Sequence, residues 1–287
     1  MRIIGHLRRL VAFEHTIFAL PFAYAGMLLA GAVTGAAVTW QLAGWITLAM
    51  AGARTLAMVA NRVIDARIDA ANPRTAGREI PSGVVTRTQA LLLGAVSAAL
   101  MLLAVWQLDP VVRWLWPIPV AMFIAYPFMK RITWACHGFL GLTVGMAAPA
   151  AWVATAGTVG WVPVLAWLAV AAWVAGFDLI YATQDVEHDR RHGLHSLPAR
   201  FGVAAALVTA RILHVATVLG LAAVAVLAGA GPAHWAAVAV VAAVLTWEHT
   251  LVSADDLSRV DKAFFTANGY VGIAYLAGVA ADTLLPG

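Results

Sequence analysis

Long apolar runs separated by short polar connections fill almost the whole chain. Nine are read as helices crossing a bilayer, at residues 11–33, 40–61, 89–108, 111–129, 134–156, 161–184, 203–229, 233–252 and 263–285, because a spanning helix needs about 20 mostly apolar residues. An outer-membrane barrel would instead alternate apolar and polar positions in segments of about ten residues, and that pattern is absent. Glu14, His15 and Pro21 interrupt the first run and no small-residue cleavage pattern follows it, so it reads as a retained span and not as a leader.

Composition agrees. Of 287 residues 62% are hydrophobic and 11% charged, against about a quarter charged in an ordinary soluble domain. The expected fold is an all-α membrane protein of one domain, residues 1–287, with nine helices and no room for a soluble domain. The single Cys136 excludes an intrachain disulfide framework and a clustered thiolate metal site. A net charge of +4 suggests an anionic partner, but topology accounts for the cations first. All but Arg54, Arg113 and Arg211 of the 18 Lys and Arg residues fall on one face of the predicted bundle. The positive-inside bias makes that face cytoplasmic, with the N-terminus inside and the C-terminus outside.

Two loops on that face stand out. One runs through Asn61, Asp65 and Asp69 to Asn72-Pro-Arg-Thr-Ala-Gly-Arg-Glu-Ile-Pro-Ser-Gly83, the other through Asp178, Tyr181, Asp185 and Asp189 to His195-Ser-Leu-Pro-Ala-Arg-Phe-Gly202. Each acid pair ends a span of the same predicted direction, which reads as two copies of one unit, about 1–130 and 131–287. Residues four apart share a helix face, so Asn61, Asp65 and Asp69 are expected to form one polar stripe about 12 Å long, and Asp185 with Asp189 a second. Asp178 returns to nearly the same azimuth about two turns deeper, with Tyr181 between.

Facing stripes of carboxylate repel unless cations lie between them, and oxygen-only ligands select hard ions such as Mg²⁺. Mg²⁺ usually binds one or two carboxylates together with substrate phosphates, which suits a diphosphate. Arg54, inside an apolar span, marks a functional cavity. Arg62, Arg67, Arg74, Arg78, Lys130 and Arg131 supply cations for phosphate oxygens. The plainer reading has the loop arginines obeying the positive-inside bias and the aspartates balancing them at a solvated face. It accounts for single arginines better than for the paired Asp-x3-Asp stripes.

Together these residues resemble the signatures of the UbiA-type intramembrane prenyltransferases. Asn61-x3-Asp65-x3-Asp69 with Arg74 to Gly83 resembles the first, Asp178-x2-Tyr181-x3-Asp185-x3-Asp189 with His195-Ser-Leu-Pro the second, and Tyr126 to Arg131 with Gly141 to Pro149 the stretch between. The resemblance implies nine helices around a central cavity open to lipid, capped on the cytoplasmic side by the 2–3 and 6–7 loops. It also implies Mg²⁺-dependent transfer of a polyprenyl chain from a polyprenyl diphosphate to an aromatic ring through an allylic carbocation.

By that match Asn61, Asp65, Asp69, Asp185 and Asp189 hold metal and diphosphate. Arg74, Arg78, Lys130 and Arg131 contact phosphate, Arg54 lies deeper as a phosphate or acceptor contact, and Asp178 and Tyr181 belong to the acceptor side or cavity wall. The sequence departs from the commonest pattern at Arg62, at His188 before Asp189, and at Glu14-His15. Phe13 to Pro21 resembles a bacterial branch of 4-hydroxybenzoate polyprenyltransferase-like proteins, among them members serving menaquinone formation through futalosine. Two acceptors therefore stay open, 4-hydroxybenzoate and 1,4-dihydroxy-6-naphthoate; nucleic acid is not an expected partner.

His188, His192 and His195 read as loop histidines in preference to a zinc site. Gly26, Gly31, Gly141 and Gly145 read as points of close helix packing. A transporter would place discontinuous helices near the midplane, whereas these acids gather at one face. The compact Asp-x2-Asp-Gly-x2-Ala-Arg cluster of membrane alcohol phosphotransferases is missing.

Overall fold

The computed structural model describes residue 10 and residues 16–285, the side chains of 16–18 excepted. Arg2, Arg8, Arg9, Glu14 and His15, with the beginning of the first expected span, lie outside the described residues. Among the described residues there is no strand. The long helices are α1 (Thr16–Thr34), α2 (Trp40–Ile64), α3 (Arg87–Gln107), α4 (Val112–Met129), α5 (Cys136–Ala156), α6 (Trp161–Ala182), α7 (Val203–Leu227), α8 (Pro232–Glu248) and α9 (Val260–Leu284). Seven of the described helices are long and apolar enough to cross a membrane, and two shorter apolar ones, within α1 and at α8, accompany them.

Local chemistry starts several of these helices. The Thr39 hydroxyl accepts from Leu42 N at the head of α2. Thr86 and Gln89 close a reciprocal capping box at the head of α3, 2.9 and 3.2 Å long. Pro232 opens α8, where a missing N–H costs nothing. The outer faces are apolar: Val208, Ile212, Val215 and Leu219 of α7 follow helical spacing and are all exposed, as a lipid-facing stripe requires.

The bundle is joined through small residues. α1 packs on α5 and α9, α5 on α6, α6 on α7, and α2 on α3 and α4. A Cβ on Gly26 would strike the Ala148 carbonyl, and one on Gly141 the Ala171 carbonyl. Gly31 differs from expectation: its neighbour is the Val38 side chain in the following loop, so it shapes the exit of α1 and joins no two helices. Gly141→Val is expected to push α5 from α6 and destabilise the fold by about 1–3 kcal/mol. A lowered melting temperature in detergent checks this.

Candidate active site

α2, α4, α5 and α6 surround most of a cavity of about 670 Å³, to which α9 adds Phe264. At its polar end two helices break in the same way. α2 stops at Ile64, Asp65 takes φ −92°, ψ 4°, and a short helix Ala66–Ala71 follows. α6 stops at Ala182, a 3₁₀ turn Thr183–Asp185 intervenes with Asp185 at φ −104°, ψ 7°, and Val186–Arg191 follows. Both acids thus occupy the sparsely populated bridge region where many active-site residues sit. The expected straight stripes are corrected here, because each ladder bends at its first carboxylate. Across the bend the bonds from Asp65 N to Asn61 O and from Asp69 N to Asp65 O survive at 2.8 Å.

Every carboxylate of the two ladders meets a basic side chain. Arg74 grips Asp185 through both Nε (3.0 Å) and Nη2 (2.5 Å) and also donates to the Tyr181 hydroxyl at 3.0 Å. Asn72 Nδ2 donates to the same Asp185 at 2.9 Å, tying the first loop to the second ladder. Arg78 reaches Asp69 at 2.6 Å and Arg131 reaches Asp65 at 2.7 Å, where Asn61 Nδ2 donates at 2.9 Å. Lys130 meets Asp189 Oδ1 at 2.8 Å, and the Ser196 hydroxyl donates to its other oxygen at 2.7 Å. Ser196 thereby caps the helix Leu197–Phe201 and anchors Asp189 at once.

The chain's own bases therefore balance the ladder carboxylates. Burial works against charge on Arg74 and Lys130, yet Asp185 and Asp189 outweigh it and hold both above their ordinary pKa. At Asp65 burial wins over the Arg131 guanidinium and pushes the carboxyl up to about 6.

Ten of the twelve residues given site roles by the resemblance line the cavity: Arg54, Asn61, Asp65, Asp69, Arg74, Arg78, Lys130, Asp178, Tyr181 and Asp185. Asp189 and Arg131 do not. Asp189 is fully buried behind Lys130, and Arg131 turns to Asp65 and the Ile64 carbonyl. Arg62 lines the cavity but spends its Nε on the Leu10 carbonyl at 3.3 Å. His188 stacks on His192, with ring centroids 4.1 Å apart.

Deeper in the cavity lie Arg54, whose buried Nε has no partner, and a pair formed by Asp178 and His137. Sequence reasoning missed Asn72, His137 and Ser196 as site residues. The Asn72-Pro-Arg loop and the lone histidine in an apolar run were the available signals.

Among the described residues no three His, Cys, Asp or Glu side chains converge to hold a metal by themselves. Mg²⁺ needs no such cage when phosphate completes its shell. Asp69 Oδ2 is buried without a hydrogen-bond partner, and its neighbours on the ladder are oxygen donors. The residues therefore fit a magnesium diphosphate better than a bare ion.

Fold and site define a helical membrane protein with a buried acid-and-base centre at the end of an apolar cavity. Residues 19–269 match the UbiA prenyltransferase family, and the chain belongs to it. It is 33% identical over 232 residues to 4-hydroxybenzoate octaprenyltransferase of Aromatoleum aromaticum (strain DSM 19018 / LMG 30748 / EbN1), covering 80% of this chain and 77% of that one. To the protein of the same name from Vibrio campbellii it is 28% identical, covering 97% and 94%. Among solved structures, the apo UbiA homolog from Aeropyrum pernix K1 superposes with TM-score 0.85 at 33% identity, covering 94% of this chain and 98% of that one. A UbiA homolog from Archaeoglobus fulgidus bound to DMAPP and Mg²⁺ shares the fold, with TM-score 0.75 at 19% identity over 97% of this chain and 99% of that one. The chain is a prenyltransferase.

Proposed function

We propose that this chain transfers a polyprenyl group from a polyprenyl diphosphate to a hydroxylated aromatic acid of the 4-hydroxybenzoate type, as a step of respiratory quinone formation. The observation that carries the reading is the one-to-one pairing of four carboxylates with four bases beside a large apolar cavity. A site that is neutral by itself can accept a metal diphosphate by exchanging partners. Arg74, Arg78, Lys130 and Arg131 turn to phosphate oxygens, and Asn61, Asp65, Asp69, Asp185 and Asp189 are freed for Mg²⁺. Bound there, Mg²⁺ offsets negative charge on the departing diphosphate. The apolar walls hold the prenyl chain and keep water from the allylic cation until the ring attacks. Arg54 takes the acceptor's carboxylate.

In the same reading nine spans cross the bacterial cytoplasmic membrane, with α1 and α8 as the two shorter ones. The acid-bearing loops form a cap on the cytoplasmic side, where the N-terminus lies. The chain is one domain of two like units, about 1–130 and 131–287, a division supported by the matching breaks at Asp65 and Asp185. Purified protein given labelled polyprenyl diphosphate, Mg²⁺ and either 4-hydroxybenzoate or 1,4-dihydroxy-6-naphthoate is expected to release diphosphate and form prenylated acid. A chelator is expected to stop both. Failure with every aromatic acid would overturn the acceptor class, and undiminished turnover in chelator would overturn the metal.

A further inference from the structure

His137 and Asp178 stand apart from the four acid–base pairs. His137 sits in the first turn of α5 and Asp178 on α6, so nothing in local sequence joins them. Their side chains meet at 2.6 Å, Nδ1 to Oδ2, and both residues line the cavity. In the neutral imidazole the hydrogen lies on Nδ1 towards Asp178, and Nε2 is the acceptor in that form. That Nε2 is buried and has no hydrogen-bond partner.

A buried polar atom left unpaired costs roughly 1–3 kcal/mol, and a ligand in the cavity that His137 lines would relieve that cost. Position adds to this. Asp178 precedes Asp185 by two helical turns, about 10 Å along α6. Arg54 precedes Asn61 by the same interval on α2. The dyad and Arg54 thus form a second tier beneath the diphosphate tier, where a ring bearing a carboxylate and a hydroxyl would lie.

We propose that the His137–Asp178 dyad is the catalytic base for the acceptor's hydroxyl. This rests on the acceptor class proposed above. The O–H bond breaks towards His137 Nε2 while the ring's electron pair forms the new C–C bond to the prenyl carbon. The C–O electron pair of the donor leaves with diphosphate. The dienone so formed regains aromaticity when its ring proton passes to a diphosphate oxygen and His137 returns its proton to the acceptor oxygen. Asp178 holds the imidazole in the required tautomer and faces the imidazolium during that interval.

The test compares 4-hydroxybenzoate with its methyl ether, which keeps the ring electron-rich but has no proton to give. Wild-type protein is expected to prefer the hydroxyl acceptor by about 10²–10⁴-fold in kcat, the usual contribution of a positioned base. In His137→Ala and in His137→Gln, which keeps a donor for Asp178, that preference is expected to fall at least about tenfold, with the donor's KM unchanged. Asp178→Asn is expected to follow in the same direction. Equal losses on both acceptors in His137→Gln, with normal donor binding, would make the pair a structural staple and overturn the inference alone. Wild-type protein that transfers to no hydroxylated aromatic acid would overturn the acceptor reading together with it.

Discussion

Asp185→Asn is expected to lower turnover by about 10²–10³-fold, the range seen when one preorganised electrostatic contact to a developing charge is removed. Asn keeps the shape and still accepts a hydrogen bond, so Arg74 and Asn72 retain a partner and the protein should elute from a sizing column as wild type does. It cannot supply the negative charge a metal requires. The apparent Mg²⁺ affinity is therefore expected to fall with kcat, and excess Mg²⁺ is expected to restore part of the rate. Asp65→Asn should behave alike, since the two acids hold matching backbone positions at the ends of α2 and α6. Near-normal activity in both variants would remove the metal assignment.

That pair of acids was legible in the sequence because four-residue spacing survives a bend. The hydrogen bonds from Asp65 N and Asp69 N continue through the break, so the side chains stay near one face although the helix does not stay straight. The bends themselves had no sequence signal, for neither Asp65 nor Thr183–Asp185 adjoins a proline or glycine. Partner choice was equally hidden. Arg74 and Asp185 are 111 residues apart, and only the folded bundle brings the first loop over the second ladder.

The same limit explains His137. A single histidine in an apolar run reads as core until its carboxylate, 41 residues away, is seen beside it. Asp189 shows the converse. Its spacing marks it as a ladder member, while its depth behind Lys130 comes from Ser196 and the turn that follows, which spacing does not encode.

Arg54→Met is expected to separate function from stability. Arg54 stands in the middle of α2 with its buried Nε unpaired, and a cation in that setting is held at a cost to the fold. Met has a similar reach and no charge, so the variant should be at least as stable as wild type in a thermal melt in detergent. The loss is expected in the acceptor. A charge-assisted hydrogen bond to a carboxylate contributes about 1.5–3 kcal/mol, so KM for 4-hydroxybenzoate should rise about 10–150-fold while KM for the polyprenyl diphosphate stays put. Unsubstituted phenol supplies the control. Lacking the carboxylate, it should be used equally poorly by both proteins. A variant that instead loses donor affinity would place Arg54 with the phosphate contacts, and the polar end of the cavity would then extend two turns deeper than the acids alone define.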